Sequence, residues 1–421
     1  MPHQNSHINQ DLFLKFKDLN ALVHLHGCSS LVTLIRDVLP GWEFEVCTTF
    51  ADHDICARIT PSSGHKYLVE TFDDTAKPTE WNALNAVCEL IGQLAWEQLR
   101  SMPHRLCLHA AAVQIGDRLI IIPNSRRAGK STLCAHLAHK GLTIFSDDFV
   151  RLHVDSNGTL CGWGNGVLPR VRLPLPETTS EDVKAWQAEN DGPANSQYQY
   201  LNIENLAPRH VAKPVGAIVV LDRDENNVQP ELFPIAPSEA MDHLLYQNFA
   251  RSVHSGVTLT ALKELIDAVP VLKFSYAEAA SGADFLIEEL SKMALPVATL
   301  SDASAERAQE ASFDKSAEPI EVFETTLAYG HSKGVVRITS ENEDYLSDAD
   351  GLAVHRLNAG SAAIWQFLSI PATFDEVVEG LSAAFPDVDP KQIEKDCHGT
   401  MTALSAARLI QKDVGQFGEV S

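Results

Sequence analysis

Apolar residues recur every three or four positions at Leu84, Val87, Cys88, Ile91, Leu94, Ala95 and Leu99, a period that predicts a long amphipathic helix over residues 79–102. Thr79 stands where an N-cap is needed, Glu80 favours the positive end of the helix dipole, and Pro103 stops the run. Before it, residues 8–79 alternate short mixed runs such as Trp42-Glu43-Phe44-Glu45-Val46 with turns, Pro61-Ser62-Ser63-Gly64 being the clearest, so a small strand-rich unit is expected. After it the strands lose their alternation. Residues 106–115, a turn at Gly116-Asp117, and the run Leu119-Ile120-Ile121-Ile122 suit strands buried on both faces.

A helix follows, carrying Leu133 and Leu137 and punctuated by Lys140-Gly141, and then a short strand over 142–145. Asp155-Ser156-Asn157-Gly158 marks a hairpin, residues 174–214 read as a polar irregular stretch and a candidate lid, and 217–221 reads as a further buried strand. Residues 262–276 look like a helix and a closing strand. Beyond them, 301–318 is rich in small and charged residues and reads as a linker. Three short strands at 335–339, 344–346 and 352–357 then precede three helices. Asn358 caps the first, Thr373 with Glu376 forms a capping box for the second, and Asp389 with Pro390 opens the third, whose apolar face is Ile393, Cys397, Met401 and Leu404. The expected organisation is an N-terminal α+β unit (1–103), an α/β domain (104–300), an acidic linker (301–319) and a module of three strands and three helices (320–415).

A chain of 421 residues with 45% hydrophobic and 21% charged residues is long enough for two or three cores. Its net charge of -23 and pI near 5.1 argue against a surface that neutralises nucleic acid or anionic lipid. Eight cysteines lie scattered, with no C-x-x-C pair, which reads as reduced and mostly buried thiols. No basic region leads into an apolar run and the longest such run, 215–221, is too short to span a bilayer, so a cytoplasmic location is expected. His3, His7, His24 and His26 fit no metal-ligand spacing.

The chemistry is concentrated at Asn124-Ser125-Arg126-Arg127-Ala128-Gly129-Lys130-Ser131-Thr132, between a buried strand and a helix. A phosphate-binding loop needs inward backbone N–H groups, a helix N-terminus aimed at the anion, a lysine for the outer phosphates and a hydroxyl for magnesium, and Gly129, Lys130 and Ser131 supply these. Asn124 stands where the pattern G-x-x-x-x-G-K-[ST] has its first glycine. Asp147 and Asp148 follow at the end of the next strand. Neighbouring carboxylates repel, so one acquires a raised pKa and suits a general base beside a metal-bound partner.

These residues, with Leu108-His109-Ala110-Ala111-Ala112-Val113 and the run from Lys140-Gly141 to Ser146-Asp147-Asp148, resemble the HPr kinase family, specifically its shorter HPr kinase-related members, over residues 104–290. The resemblance implies a P-loop fold related to phosphoenolpyruvate carboxykinase, with ATP or GTP and Mg²⁺ as cofactors. It places Lys130 on the phosphates, Ser131 and Asp148 on Mg²⁺, Asp147 as acceptor of a substrate hydroxyl proton, and His109 as the group orienting that aspartate. Arg127 stands where the family has another glycine, and 168–173 lacks the glutamate and glycines of the family's second signature. Arg126, Arg127, Arg170 and Arg172 are candidates to clamp phosphate.

Residues 320–415 resemble PqqD and related precursor-peptide recognition elements, a winged-helix module, on the run Leu357-Asn358-Ala359-Gly360-Ser361-Ala362-Ala363-Ile364-Trp365. The resemblance implies a leader peptide added beside the strand that Leu352 opens and Leu357 closes, resting on a helix that Lys391 opens and Ala406 closes. Glu341, Glu343, Asp344, Asp348 and Asp350 would repel a DNA backbone. Taken together, the resemblances imply an ATP-dependent serine kinase of a ribosomally made precursor peptide, with no nucleic acid or membrane partner and the oligomeric state open. A nucleotide-dependent peptide chaperone and a kinase of an HPr-like carrier protein are the alternatives.

Overall fold

A computed structural model describes residues 11–49, 54–71, 78–100, 106–123, 128–227, 229–249, 253–299 and 322–413. The chain divides into two compact units. The first takes 1–235, 246–252 and 267–301, and the second takes 236–245, 253–266 and 302–421. The sequence reading kept 104–300 in one domain and 1–103 apart. Here the N-terminal region packs into the first unit, while two segments from the middle of the chain belong with the C-terminal region.

In the first unit, β1 (Asp11–Phe16), β2 (Leu22–His26), β3 (Phe44–Cys47), β4 (Ile55–Pro61), β5 (Tyr67–Thr71) and β6 (Thr79–Trp81) form a sheet ordered β3-β1-β2-β4-β5-β6, accompanied by α1 (Leu31–Val38). The helix α2 (Ala83–Arg100) begins four residues later than its periodicity predicted. Residues 79–81 pair with β5, and Asn82 takes the capping role through its Oδ1, which accepts from the Asn85 N–H at 2.9 Å. Thr79 is therefore a strand residue, because the sheet edge offers it a full ladder partner.

The second sheet of this unit is built from β7 (Cys107–Leu108), β8 (Ala110–Ile115), β9 (Arg118–Pro123), β10 (Ile144–Ser146), β11 (Val150–Val154), β12 (Leu160–Trp163), β16 (Ala212–Arg223), β17 (Glu231–Pro234) and β18 (Val271–Tyr276). At its centre β16 runs parallel to β9 on one side and to β18 on the other. Leu119, Ile120, Ile121 and Ile122 are all essentially fully buried, as the unbroken apolar run requires when both faces are covered. One face packs against α3 (Lys130–His139) and α7 (Ala279–Lys292), whose Leu133, Leu137 and Leu286 join Val219 and Phe274 in one core.

The stretch 174–214, read as irregular, carries regular structure: α4 (Glu181–Glu189), then β14 (Asp191–Ala194) and β15 (Tyr198–Leu201), which form a small sheet with β13 (Arg170–Arg172) in the order β13-β15-β14. Burial of Tyr200 and Leu201 anchors it, a tertiary effect that a polar local sequence hides. Close approach of Gly41 to Gly166, where a Cβ would lie 2.6 Å from the Gly166 Cα, ties the N-terminal sheet to this sheet's support. Trp42 donates from Nε1 to the Asn165 carbonyl at 2.9 Å alongside it.

In the second unit, β20 (Arg337–Ser340), β21 (Glu343–Ser347) and β22 (Val354–Leu357) form an antiparallel sheet. Helices α8 (Ala359–Phe367), α9 (Phe374–Ala384) and α10 (Pro390–Ala406) follow with the caps read from sequence: Asn358, the Thr373–Glu376 box and Asp389. Their core gathers Ile364, Trp365, Val377, Cys397, Met401 and Leu404. The expected three strands are joined by β19 (Ala328–His331), β23 (Ala372–Thr373) and β24 (Ile410–Lys412), a second small sheet too short to leave a periodic signal. The two borrowed helices are α5 (Pro237–Leu245) and α6 (Ser255–Ala268). From α5, Asp242 accepts from Tyr345 Oη at 2.8 Å and pairs with Arg356 at 2.5 Å. From α6, Ser255 Oγ donates to the Ala353 carbonyl at 2.8 Å.

Among the described residues all eight cysteines are free, six of them buried. No helix among them is long and apolar enough to cross a membrane.

Candidate functional site

Gly129 adopts a left-handed conformation, φ 89°, and caps α3 from its N-terminal side. That geometry is open to glycine without a steric penalty and turns the chain from β9 into the helix with its first N–H groups unsatisfied. Lys130 is the first helical residue. It is only 8% exposed, and its Nζ has no hydrogen-bond partner among the described residues. Burial lowers its pKa, and the charges of Asp148 and Asp147 oppose that shift. A buried ammonium without a partner is costly, so its place at a helix N-terminus fits an anion that would supply the missing acceptors. Ser131 and Thr132 are half-buried on the first turn. Ala128 precedes Gly129, and Asn124, Ser125, Arg126 and Arg127 lie outside the described residues.

The acid pair follows β10. Asp147 is 4% exposed, and its Oδ2 accepts from the Arg170 backbone N–H at 3.0 Å. Burial, followed by the neighbouring charge of Asp148, raises its pKa from 3.8 to about 6. Asp148 behaves oppositely. Burial, its largest single influence, favours the neutral acid, yet the His109 hydrogen bond and the Arg170 guanidinium hold its carboxyl well below the usual range. Its Oδ1 lies 3.0 Å from His109 Nε2, and its Oδ2 accepts from Arg170 Nη2 at 3.3 Å. One carboxyl is thus poised to hold a proton near neutral pH while the other stays ionised.

The sequence reading gave His109 to Asp147. The imidazole meets Asp148 instead: β8 begins immediately after His109, its neighbour β10 ends at Ser146, and in the turn that follows Ser146 Oγ accepts from the Asp148 N–H at 3.1 Å. Arg170 was a candidate for phosphate and lies at the site, donating also to Cys88 Sγ at 3.1 Å. Arg172 is exposed and sits against the Tyr198 ring, 5.7 Å from its centroid. Residues that sequence reasoning did not single out are Ser146, Asn165 and Tyr276. Asn165 Nδ2 donates to Ser146 Oγ at 3.1 Å, so Trp42, Asn165 and Ser146 form a buried relay that braces the acid turn from the N-terminal sheet.

Mg²⁺ is bound by one or two carboxylates, phosphate oxygens and water. The residues present fit such an ion: Asp148 is ionised with a lone pair left on each oxygen, and Ser131 offers a hydroxyl on the first turn of α3.

A second cluster joins Asp11, His24 and His26, whose ligating atoms lie within 4.8 Å of one another. Arg58 Nε donates to His24 Nδ1 at 3.1 Å, so the His24 proton is on Nε2, directed at Asp11 Oδ1 at 3.1 Å. His26 Nδ1 reaches the same oxygen at 2.6 Å. In this arrangement His24 is engaged on both ring nitrogens; His3 and His7, read with these two as fitting no ligand spacing, lie outside the described residues.

Residues 346–410 match the family model described as coenzyme PQQ synthesis protein D (PqqD). No curated protein matches the chain. Among solved structures, the chain is similar to TbiB1 in complex with the TbiA(beta) leader peptide, at 24% identity and a TM-score of 0.18, covering 20% of this chain and 94% of that one. It is also similar to the Hpr(Ser) kinase/phosphatase from Coxiella burnetii, at 14% identity and a TM-score of 0.24, covering 44% of this chain and 87% of that one.

Proposed function

We propose that this protein is an ATP-dependent kinase that phosphorylates a hydroxyl, serine in the first instance, of a ribosomally made precursor peptide, whose leader is held by the second unit. The observation that carries the catalytic half is the buried Lys130 ammonium at the N-terminus of α3, without a hydrogen-bond partner among the described residues, in company with two carboxyls of opposite protonation tendency. Asp147 takes the proton of the acceptor hydroxyl as the new oxygen–phosphorus bond forms and the bond to the nucleoside diphosphate breaks. Lys130 and the α3 N–H groups hold the phosphate charge, and Asp148 with Ser131 would hold Mg²⁺, which neutralises the leaving phosphates. His109 and Arg170 keep Asp148 ionised and in place.

The peptide half rests on the PqqD match over 346–410 and on an open strand edge. Among the described residues β22 pairs only with β21, and Leu352, just before it, is 66% exposed. An extended leader can add a strand there and raise the local concentration of its core segment.

The test is transfer of labelled γ-phosphate to a candidate precursor peptide taken from a short open reading frame neighbouring the gene. Transfer that needs Lys130 and Asp147 supports the reading, and its absence with bound nucleotide refutes it. One observation favours a nucleotide-dependent peptide chaperone without transfer: Arg170 Nη2, 3.3 Å from Asp148, competes for the carboxylate assigned to the metal. Nucleotide-dependent leader release without labelling would select that alternative.

A further inference from the structure

We propose that the cavity beside Gly129 takes the nucleoside of the bound nucleotide, anchored by the Tyr276 hydroxyl; this rests on the reading of Lys130 as a triphosphate site. The parallel strands β9, β16 and β18 end side by side, β9 running into the phosphate turn, β16 at Arg223 and β18 at Tyr276. The crevice beyond the carboxyl ends of parallel strands is where such sheets place ligands. A cavity of about 390 Å³, counting its open mouth, lies there, lined by Gly129, Thr132, His136, Thr179, Tyr276 and Glu278 among others.

Tyr276 is 1% exposed, and its Oη is buried with no hydrogen-bond partner among the described residues. Its ring is stacked on Phe274, centroids 4.7 Å apart, and Gly282 closes on it so tightly that a Cβ there would come within 3.0 Å. The ring is committed to packing, and the hydroxyl is what remains to be satisfied. It points at the phosphate turn: a Cβ on residue 129 would stand 2.7 Å from Oη. Gly129 therefore supplies both the left-handed turn and the gap through which a group attached to the phosphates meets Tyr276.

The remaining wall carries both charge signs, Arg223 and Glu278, with neutral polar and apolar groups beside them. His136 lies one turn beyond Thr132 on α3, and its buried Nδ1 is also without a partner among the described residues. Burial lowers its pKa, so the neutral ring can donate or accept. Glu278, the residue before α7, lines the cavity with a carboxylate that can accept from sugar hydroxyls, and Arg223 lines it with a guanidinium. Pro176, Ala279 and Ala280 supply apolar surface.

Calorimetry on the full chain with magnesium tests this, comparing ATP with inorganic tripolyphosphate. The wild-type chain should bind ATP at least about tenfold more tightly than tripolyphosphate. Ala280→Trp, at an exposed rim position that tolerates bulk, should erase that ratio while leaving tripolyphosphate affinity unchanged. Tyr276→Phe, which keeps the stacked ring, should lower ATP affinity about five- to tenfold. Equal affinity of the wild type for both ligands, or an Ala280→Trp chain with its ratio intact, overturns the nucleoside site alone. A chain that binds neither ligand overturns the Lys130 reading and this inference with it.

Discussion

The two units treat charge in opposite ways. In the second, the charges of the β20–β22 sheet are internally settled: Arg337 forks onto Asp344 at 2.9 and 2.8 Å, Thr339 donates to the same carboxylate, and Arg356 bridges Asp242 and Glu343. In the first, Lys130 Nζ and Tyr276 Oη are buried without partners among the described residues, and Asp147 is held at a pKa near 6. Unsettled buried groups cost stability, and under the proposed function a bound nucleotide would offset that cost at Lys130 and Tyr276. In the β20–β22 sheet the buried side-chain atoms without a partner among the described residues are Ser340 Oγ and His355 Nε2, while Arg337, Arg356 and Asp344 are paired. Under the proposed function the contrast would separate chemistry from recognition within one chain.

The hardest test of the contrast is Lys130→Ala. It should reduce phosphate transfer by at least about 100-fold, measured with labelled ATP. The melting temperature at pH 8 should stay level or rise, because the deleted ammonium is buried and unpaired. A loss of several degrees would make Lys130 a structural residue and end the contrast.

Asp147→Asn comes next, with a fall in turnover of about 100- to 10,000-fold. In the wild type kcat/KM should climb as pH passes about 6, where Asp147 ionises. The stability effect has the opposite sign. A carboxyl whose folded pKa exceeds its unfolded value stabilises the fold fully below pH 3.8, and that contribution is lost as pH rises through about 6. Asn, which never ionises, should therefore stabilise the protein at pH 8 by up to about 3 kcal/mol and give no gain below pH 3.8, as denaturant melts at the two pH values will read.

A smaller effect is expected on the recognition side. Leu352→Asp should weaken leader binding about tenfold in a fluorescence titration, with stability unchanged within about 0.5 kcal/mol because the residue is 66% exposed. The least change belongs to Thr373→Ala, which opens the capping box on α9. It should cost about 1 kcal/mol, seen as a small drop in melting temperature, and leave both nucleotide and leader affinity as they were.

Legibility in the sequence followed the range of the forces involved. Asn358, Thr373 with Glu376, and Asp389 with Pro390 were readable because a cap is a contact across three residues. The buried run of β9 was readable because a strand covered on both faces has no polar position. Asn82 was missed as the cap of α2 because residues 79–81 are claimed by β5, a partner found only in space. The segment 174–214 read as irregular because what orders it is pairing with β13 and burial of Tyr200. At the site, Lys130, Asp147 and Asp148 were visible as motif residues, whereas the choice of His109 between two adjacent acids depends on the facing of one turn. Tyr276 gave no signal at all, since its unmet hydroxyl exists only beside Gly129.

The chain passes between its units at 235/236, 245/246, 252/253, 266/267 and 301/302. A module joined by one tether can be moved by cutting once; this one is stitched. Transplanting the second unit onto another protein requires carrying α5 and α6 with it, and a donor lacking those two helices would arrive with Tyr345 and Arg356 without Asp242. If the proposed function holds, a recombination event that cut the chain once, at 301/302, would separate α5 and α6 from the strands they hold, so peptide choice and catalysis would tend to be inherited together.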